Sequence, residues 1–292
     1  KPTAKKIIYL FLSGGPSHID MYDYHPKMRE IHGTELPDSI RNGQRITGMT
    51  SRQKTLPVCP TKYKFTKQKN NADGVWVSEL LPHTATVAKE LCVVHTAFTE
   101  AINHDPAITY IQSGSQIPGR PSLGAWLSYG LGSDTESLPS FVVMTSVSKG
   151  TTCGQIFYDY YWGSGFLPTR FQGVKFRGGG APVLYLKNPA GITGGTRRGM
   201  LDDLAKLNQM RHAEFGDPEI LTRIAQYEMA YRMQTSVPEL TDVSSEPKKV
   251  LNLYGPQVKE RGTFAYNCLM ARRLLERGTR FVQVMHAGWD QH

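Results

Sequence analysis

Lys6–Asp23 reads KIIYLFLSGGPSHIDMYD. From Ile7 to Leu12 it is an unbroken apolar run with isoleucine and aromatic side chains and no polar alternation. A strand that is apolar on both faces fits a parallel sheet covered by helices, not an antiparallel sheet with one wet face. Gly14, Gly15 and Pro16 end the run. The polar residues that follow, Ser17, His18, Asp20 and Asp23, stand beyond the carboxyl end of a predicted strand, where open α/β sheets bind their ligands.

The pattern recurs along the chain. Leu91–Thr96 (LCVVHT), Ser140–Thr145 (SFVVMT) and Arg280–Met285 (RFVQVM) predict three more buried strands. Between them, helices are expected over Leu80–Lys89, Asp105–Gln112, Ser122–Tyr129, Arg198–Arg211, Asp217–Gln234 and Thr263–Arg277. Asp217-Pro218 is an N-cap followed by proline at the first helical position, and Gly114, Gly130 and Gly278 stand where helices stop. Strands separated by helices predict an α/β fold with a mainly parallel sheet flanked by helices on both faces. Two Gly/Pro-rich stretches, about 25–78 and 149–195, read as loop-rich insertions in a single domain over 1–292. Weak strands are expected at Tyr63–Phe65 and Val75–Val77. The chain opens on Lys1 just before a strand and closes on His292 inside a polar motif, so the expectation is a fragment truncated at both ends, its sheet incomplete.

Composition narrows the function classes. A 39% hydrophobic and 20% charged chain is globular rather than disordered. No apolar run approaches the ~18 residues of a membrane span. The net charge of +9 is dispersed and no nucleic-acid module signature accompanies it, which argues against nucleic acid and for an acidic ligand or a solvated surface. Cys59, Cys92, Cys153 and Cys268 contain no C-x-x-C pair, so no structural zinc site is expected. Cys92 and Cys268 read as core residues, and Cys153 falls in a loop. Ser164 lies in Trp-Gly-Ser-Gly, without the spacing of a hydrolase nucleophile elbow.

Three clusters follow predicted strands. Ser13, Gly14 and Gly15 allow close approach of a ligand to the backbone, and His18 and Asp20 are a usable metal-ligand pair. Asn103, His104 and Asp105 stand at a helix start, where backbone N–H groups favour an anion. In HAGWDQH, Asp290 and His292 are two residues apart and project to one side of an extended chain, with His286 as a possible third ligand or supporting partner. Carboxylate with imidazole suits a divalent ion such as Zn, Ca or Mg/Mn.

FLSGGPSHIDMYD, TEAINHDPAITYIQSGSQIPGRPSLGAWLSYGLG, GDPEILTRIAQYEMAYRMQTSVPELTD and GWDQH together resemble the DUF1501 family over nearly the whole chain. The resemblance implies the alkaline phosphatase/sulfatase superfamily, a periplasmic or exported location, and further metal-type residues in a longer C-terminal part. It also implies a small-molecule or polysaccharide ester as substrate. In the frame of the sulfatase motif, His104 takes the nucleophile slot and Ile108 the arginine slot, while Gly14 and Gly15 replace the paired metal-binding aspartates. A formylglycine mechanism is therefore not expected. By the same comparison Asp290 and His292 resemble the later Asp/His metal pair. Two functions follow as expectations: a metal-dependent hydrolase of sulfate or phosphate esters, or a non-catalytic exported protein that binds anions or sulfated polysaccharide on a degenerate hydrolase fold.

Overall fold

The computed structural model describes residues 3–41, 48, 50–68, 74–147 and 157–289. In chain order the strands are β1 (Ile7–Leu12), β2 (Phe65–Lys67), β3 (Trp76–Ser78), β4 (Phe141–Val147), β5 (Val174–Phe176) and β6 (Phe281–Ala287). The helices are α1 (Asp38–Arg41), α2 (Pro82–Thr86), α3 (His104–Ser113), α4 (Leu123–Leu131), α5 (Gly194–Phe215), α6 (Pro218–Thr241), α7 (Lys248–Leu253) and α8 (Phe264–Glu276). The chain divides into two compact units, one of residues 1–14 with 108–292, the other of residues 15–107.

The larger unit holds a four-stranded parallel sheet in the order β1-β6-β4-β5. β6 is central. Its register sets Phe281 beside Ile7 on one side and Phe141 on the other, and all seven of its residues are buried. Alternate side chains face opposite layers. Val282 and Val284 pack with Val142 and Met144 against Leu269, Met270 and Leu274 of α8 and Met233, Val237 and Leu240 of α6. Phe281 and Met285 pack with Phe141 and Val143 against Ile108 of α3, Tyr161 and Trp162, with Leu127 of α4 beside them. The sheet is thus mainly parallel with helices on both faces, as the strand–helix alternation predicts.

Inside the second layer sits one polar pair. Gln283 of β6 donates from Nε2 to Oε1 of Gln112 on α3 at 2.9 Å, and both amides are buried. Burial raises the pKa of Tyr9, with a hydrogen bond to Gln112 acting the other way.

The helix caps follow the sequence. Asp217 accepts from the Glu219 N–H at 2.9 Å with Pro218 behind it, Thr263 accepts from the Tyr266 N–H, and Ser122 from the Ala125 N–H. α6 ends against a residue of another helix. Arg273 of α8 is buried, and its guanidinium donates to the carbonyls of Leu240 (2.8 Å), Glu239 (3.1 Å) and Asp242 (2.7 Å). These carbonyls have no partner within their own helix, so a cation there satisfies them and opposes the negative end of the dipole. Glu246 completes the cluster by accepting from Arg273 and from Arg272 at 2.6 Å.

Several expectations change. Leu91–Thr96 is not a strand: it makes no ladder, Cys92 is exposed, and Val94 is 68% exposed. A short apolar run becomes a strand only where a neighbouring strand offers a ladder, and this run forms none among the described residues. β1 is a strand as expected, but it lies at the sheet edge, with Ile8 and Leu10 exposed instead of buried on both faces. β5 lies inside the 149–195 insertion, where no strand is predicted. Its three residues are too few to show a period. α5 is longer than expected and buries only Leu201. Its link to α6 is polar: Arg198 donates to both carboxylate oxygens of Glu228 at 2.9 and 2.5 Å and lies 5.0 Å from the Tyr231 ring centre.

The smaller unit is irregular. β2 and β3 pair as an antiparallel hairpin near the two weak strands expected there. Tyr24 stacks on Phe65 at 4.9 Å and contacts Trp76 at 4.6 Å.

Glu246 gives a stability test. Hydrogen bonds from Arg272, and then from Arg273, hold its carboxyl below the usual range against the opposing cost of burial. Its folded pKa lies below the unfolded one, so its contribution is complete above the unfolded value and is lost as pH falls through the folded value. Replacing Glu246 by alanine leaves Arg273 buried without its carboxylate, and is expected to cost about 3 kcal/mol at neutral pH. Urea denaturation across pH 3–7 (roughly the carboxylate range) checks this: the wild type should lose stability in acid more steeply than Glu246→Ala.

Candidate functional site

In the larger unit, the register brings polar residues together at the carboxyl edge of the sheet. Leu12 of β1 and Ser146 of β4 both pair with His286 of β6. Ser13 continues β1 past Leu12: its N–H donates to the His286 carbonyl at 2.8 Å and its carbonyl accepts from the Trp289 N–H at 3.2 Å. Ser13, Ser146 and His286 are all buried, with His286 at 8% exposure. Gly14 then turns the chain with φ 115° and Gly15 with φ 72°, in the left-handed region open to glycine.

His286 is held on several sides. Its Nδ1 is 2.9 Å from the Ser146 hydroxyl. Its ring stacks on Phe264, the first residue of α8, at 4.8 Å, and meets Trp289 edge-on at 6.3 Å. Burial lowers its pKa because the imidazolium loses hydration, and a hydrogen bond to the Ser146 backbone opposes this more weakly. The ring is thus a neutral imidazole at pH 7, competent as a base or as a ligand. Beside it, the Trp289 indole N–H is buried with no partner among the described residues. A fixed imidazole, a hydroxyl and an unengaged donor at a strand end can together receive a polar ligand.

The smaller unit has its own polar cluster. The Asp23 carboxylate faces three imidazoles: His25 Nε2 at 2.9 Å, His95 Nδ1 at 3.3 Å and His18 Nε2 at 3.6 Å. The Asp23 pKa is lowered: burial acts to raise it, but the hydrogen bond from His25 and the charges of the three imidazoles outweigh that. Asp20, two residues after His18, accepts instead from the Thr61 hydroxyl at 2.6 Å. The expected His18/Asp20 pair is therefore directed to two different partners.

Asn103, His104 and Asp105 stand at the start of α3, as the sequence indicates, and all three are exposed. The helix runs one residue beyond its expected end and Gly114 closes it with φ 73°. Asp290, His292 and Cys153 lie outside the described residues. Among the described residues, no three of the His, Cys, Asp and Glu side chains form a group that could hold a metal ion. Cys268 is half-buried, and burial pushes its thiol up to about 11, so it is no nucleophile at neutral pH.

Ser146, His25 and His95 were missed by sequence reasoning. Ser146 was within reach, because it follows SFVVMT as Ser13 follows its own strand. His95 was not: only the fold places it beside residues more than 65 positions away in the chain.

The histidine environment yields a titration test. The folded pKa of His286 lies below its unfolded value, so the unfolded chain takes up the proton first. The contribution of His286 is therefore complete above an unfolded pKa of about 6.5 and falls as pH drops below it. Ring nitrogen resonances should report a neutral imidazole at His286 still present at pH values where an exposed histidine is half protonated. Ser146→Ala should cost about 1 kcal/mol in denaturant unfolding. A ring that titrates like an exposed histidine would contradict this geometry.

No curated protein and no solved structure matches the chain. One family model does, that of a protein of unknown function, DUF1501, over residues 4–292. The match runs over nearly the full length, so the chain belongs to the DUF1501 family.

Proposed function

We propose that this protein is a hydrolase of the alkaline phosphatase/sulfatase superfamily that acts on sulfate or phosphate esters of small molecules or polysaccharides, with a divalent metal ion (Zn, Ca or Mg/Mn) and in the periplasm or outside the cell. The observation that carries this reading is the buried Ser13, Ser146 and His286 set at the carboxyl edge of the parallel sheet. Ligands bind at that edge in open α/β sheets, and a neutral histidine fixed by a neighbouring hydroxyl is suited to moving a proton.

In this reading His104 acts as nucleophile or general acid/base, flanked by Asn103 and Asp105. Gly14 and Gly15, with Ser13 before them, form the substrate-binding turn. Asp290, His292, Asp20 and His18 are the metal residues. The described part of that set does not assemble an ion site by itself, since Asp20 is bonded to Thr61 and His18 lies near Asp23.

A second reading is favoured by a separate surface. Trp126, Tyr129 and Phe166 are 44%, 56% and 70% exposed. Trp126 meets Tyr129 at 6.1 Å and Phe166 at 5.8 Å, and Tyr129 meets Phe171 at 5.3 Å, with the Arg170 guanidinium 4.7 Å from the Phe171 ring centre. Exposed rings with a cation beside them suit an anionic polysaccharide, as a non-catalytic exported binding protein requires.

Elemental analysis of the full chain, with turnover of aryl sulfate and aryl phosphate, separates the two. The hydrolase reading expects bound divalent metal and a loss of at least about 100-fold in turnover for His104→Ala. Metal-free protein whose turnover ignores His104→Ala would overturn it. Sulfated polysaccharide bound without turnover and without metal dependence would support the second reading.

A further inference from the structure

One cavity of the larger unit lies away from His286 and Ser146, and none of the candidate site residues above lines it. It has a volume of about 730 Å³ and is formed by the last turn of α6, the turn after it, α7, the Pro256–Lys259 turn and the start of α8. That is within the roughly 300–1,000 Å³ of small-molecule sites.

Three observations describe its chemistry. First, Tyr266 lines it and is only 7% exposed, yet its hydroxyl is buried with no hydrogen-bond partner among the described residues. A buried hydroxyl without a partner is costly in a native structure, so an acceptor that reaches it from the cavity is favoured. Burial also raises its pKa, so the group is a phenol ready to donate. Second, Lys248, Lys259 and Arg261 line the same cavity, and none of them is ion-paired with a carboxylate among the described residues. Arg261 spends one donor on the Gly180 carbonyl at 2.8 Å and keeps the rest of its fork. Two carboxylates are present. Glu246 is already engaged by Arg272 and Arg273, which leaves Asp242, bonded to the Ser244 N–H at 2.9 Å, against three cations. Third, Pro238, Val243 and Leu251 supply an apolar wall. A narrower cleft sharing Thr241, Arg261 and Tyr266 adds Arg177, so the positive character continues past the phenol.

We propose that this cavity is a binding site for a small organic oxyanion, a phosphate or sulfate group on a compact apolar body. Tyr266 donates to the oxyanion, Lys259 and Arg261 supply the charge, and Leu251 and Val243 receive the apolar part. The site is independent of the hydrolase reading and stands whether or not that reading does.

The test is calorimetry on the full chain with phenylphosphonate, which mimics an aryl phosphate and carries no ester bond to cleave. Saturable binding is expected, weaker at high salt, because unpaired surface cations carry part of it. Tyr266→Phe keeps the ring and the fold and should weaken binding about tenfold, the loss of one hydrogen bond to a charged group. Lys259→Ala with Arg261→Ala should weaken it further. Inorganic phosphate, which lacks the apolar body, should bind more weakly than phenylphosphonate. The proposal is overturned if phenylphosphonate fails to saturate in the millimolar range. It is equally overturned if Tyr266→Phe, or Lys259→Ala with Arg261→Ala, binds as the wild type does.

Discussion

The larger unit depends on β6 having a parallel neighbour on each side. Its backbone groups are satisfied by β1 and β4, and its side chains are buried on both faces. A strand in that position exposes no polar backbone and tolerates no unpartnered polar side chain without cost. Its composition reflects this: phenylalanine, valine and methionine, with Gln283 as the one amide and His286 where the strand reaches the edge. The same pairing ties residues 7–12 to 281–287, so the first and last strands among the described residues meet although about 270 positions separate their paired residues. Contacts of that range cost loop-closure entropy before they contribute anything, and the two hydrophobic layers around β6 offset it.

Once β6 is central, the polar edge follows from register. Two parallel neighbours in step with His286 place Ser146 beside it and leave Ser13 bonded to its carbonyl. Burial then keeps the imidazole neutral, because the same packing that orders the ring removes the water that would hydrate its cation. On the other flank, Arg273 joins α8 to the end of α6 through carbonyls that need a donor, and Glu246 neutralises it. These two polar clusters thus sit where an element ends and backbone groups or strand-end side chains have no partner within their own element.

Much of the framework was legible in the sequence. The runs at Ser140–Thr145 and Arg280–Met285 are strands because their apolar content matches a sheet covered on both sides, and Ile7–Leu12 is a strand at the edge of that sheet. Asp217-Pro218, Ser122 and Thr263 start helices because their side chains accept from the first free N–H groups. Leu91–Thr96 has the same apolar content and is no strand, since content says nothing about whether a ladder partner exists. β5 shows the converse, a three-residue strand formed because β4 offers it an edge.

The candidate site divides along the same line. The residue types that follow β1 and β6, and the helix start at His104, can be read from the sequence, because strand ends and helix starts are local features marked by glycine, proline and capping side chains. Their partners cannot. Ser146 beside His286 and His95 beside Asp23 are contacts between residues remote in sequence. Periodicity and caps are properties of neighbouring residues, so the sequence by itself marks the candidate strands and helices and the residues that can stop them. Pairing, burial and the resulting charge state depend on what the rest of the chain brings alongside, and only the tertiary structure decides them.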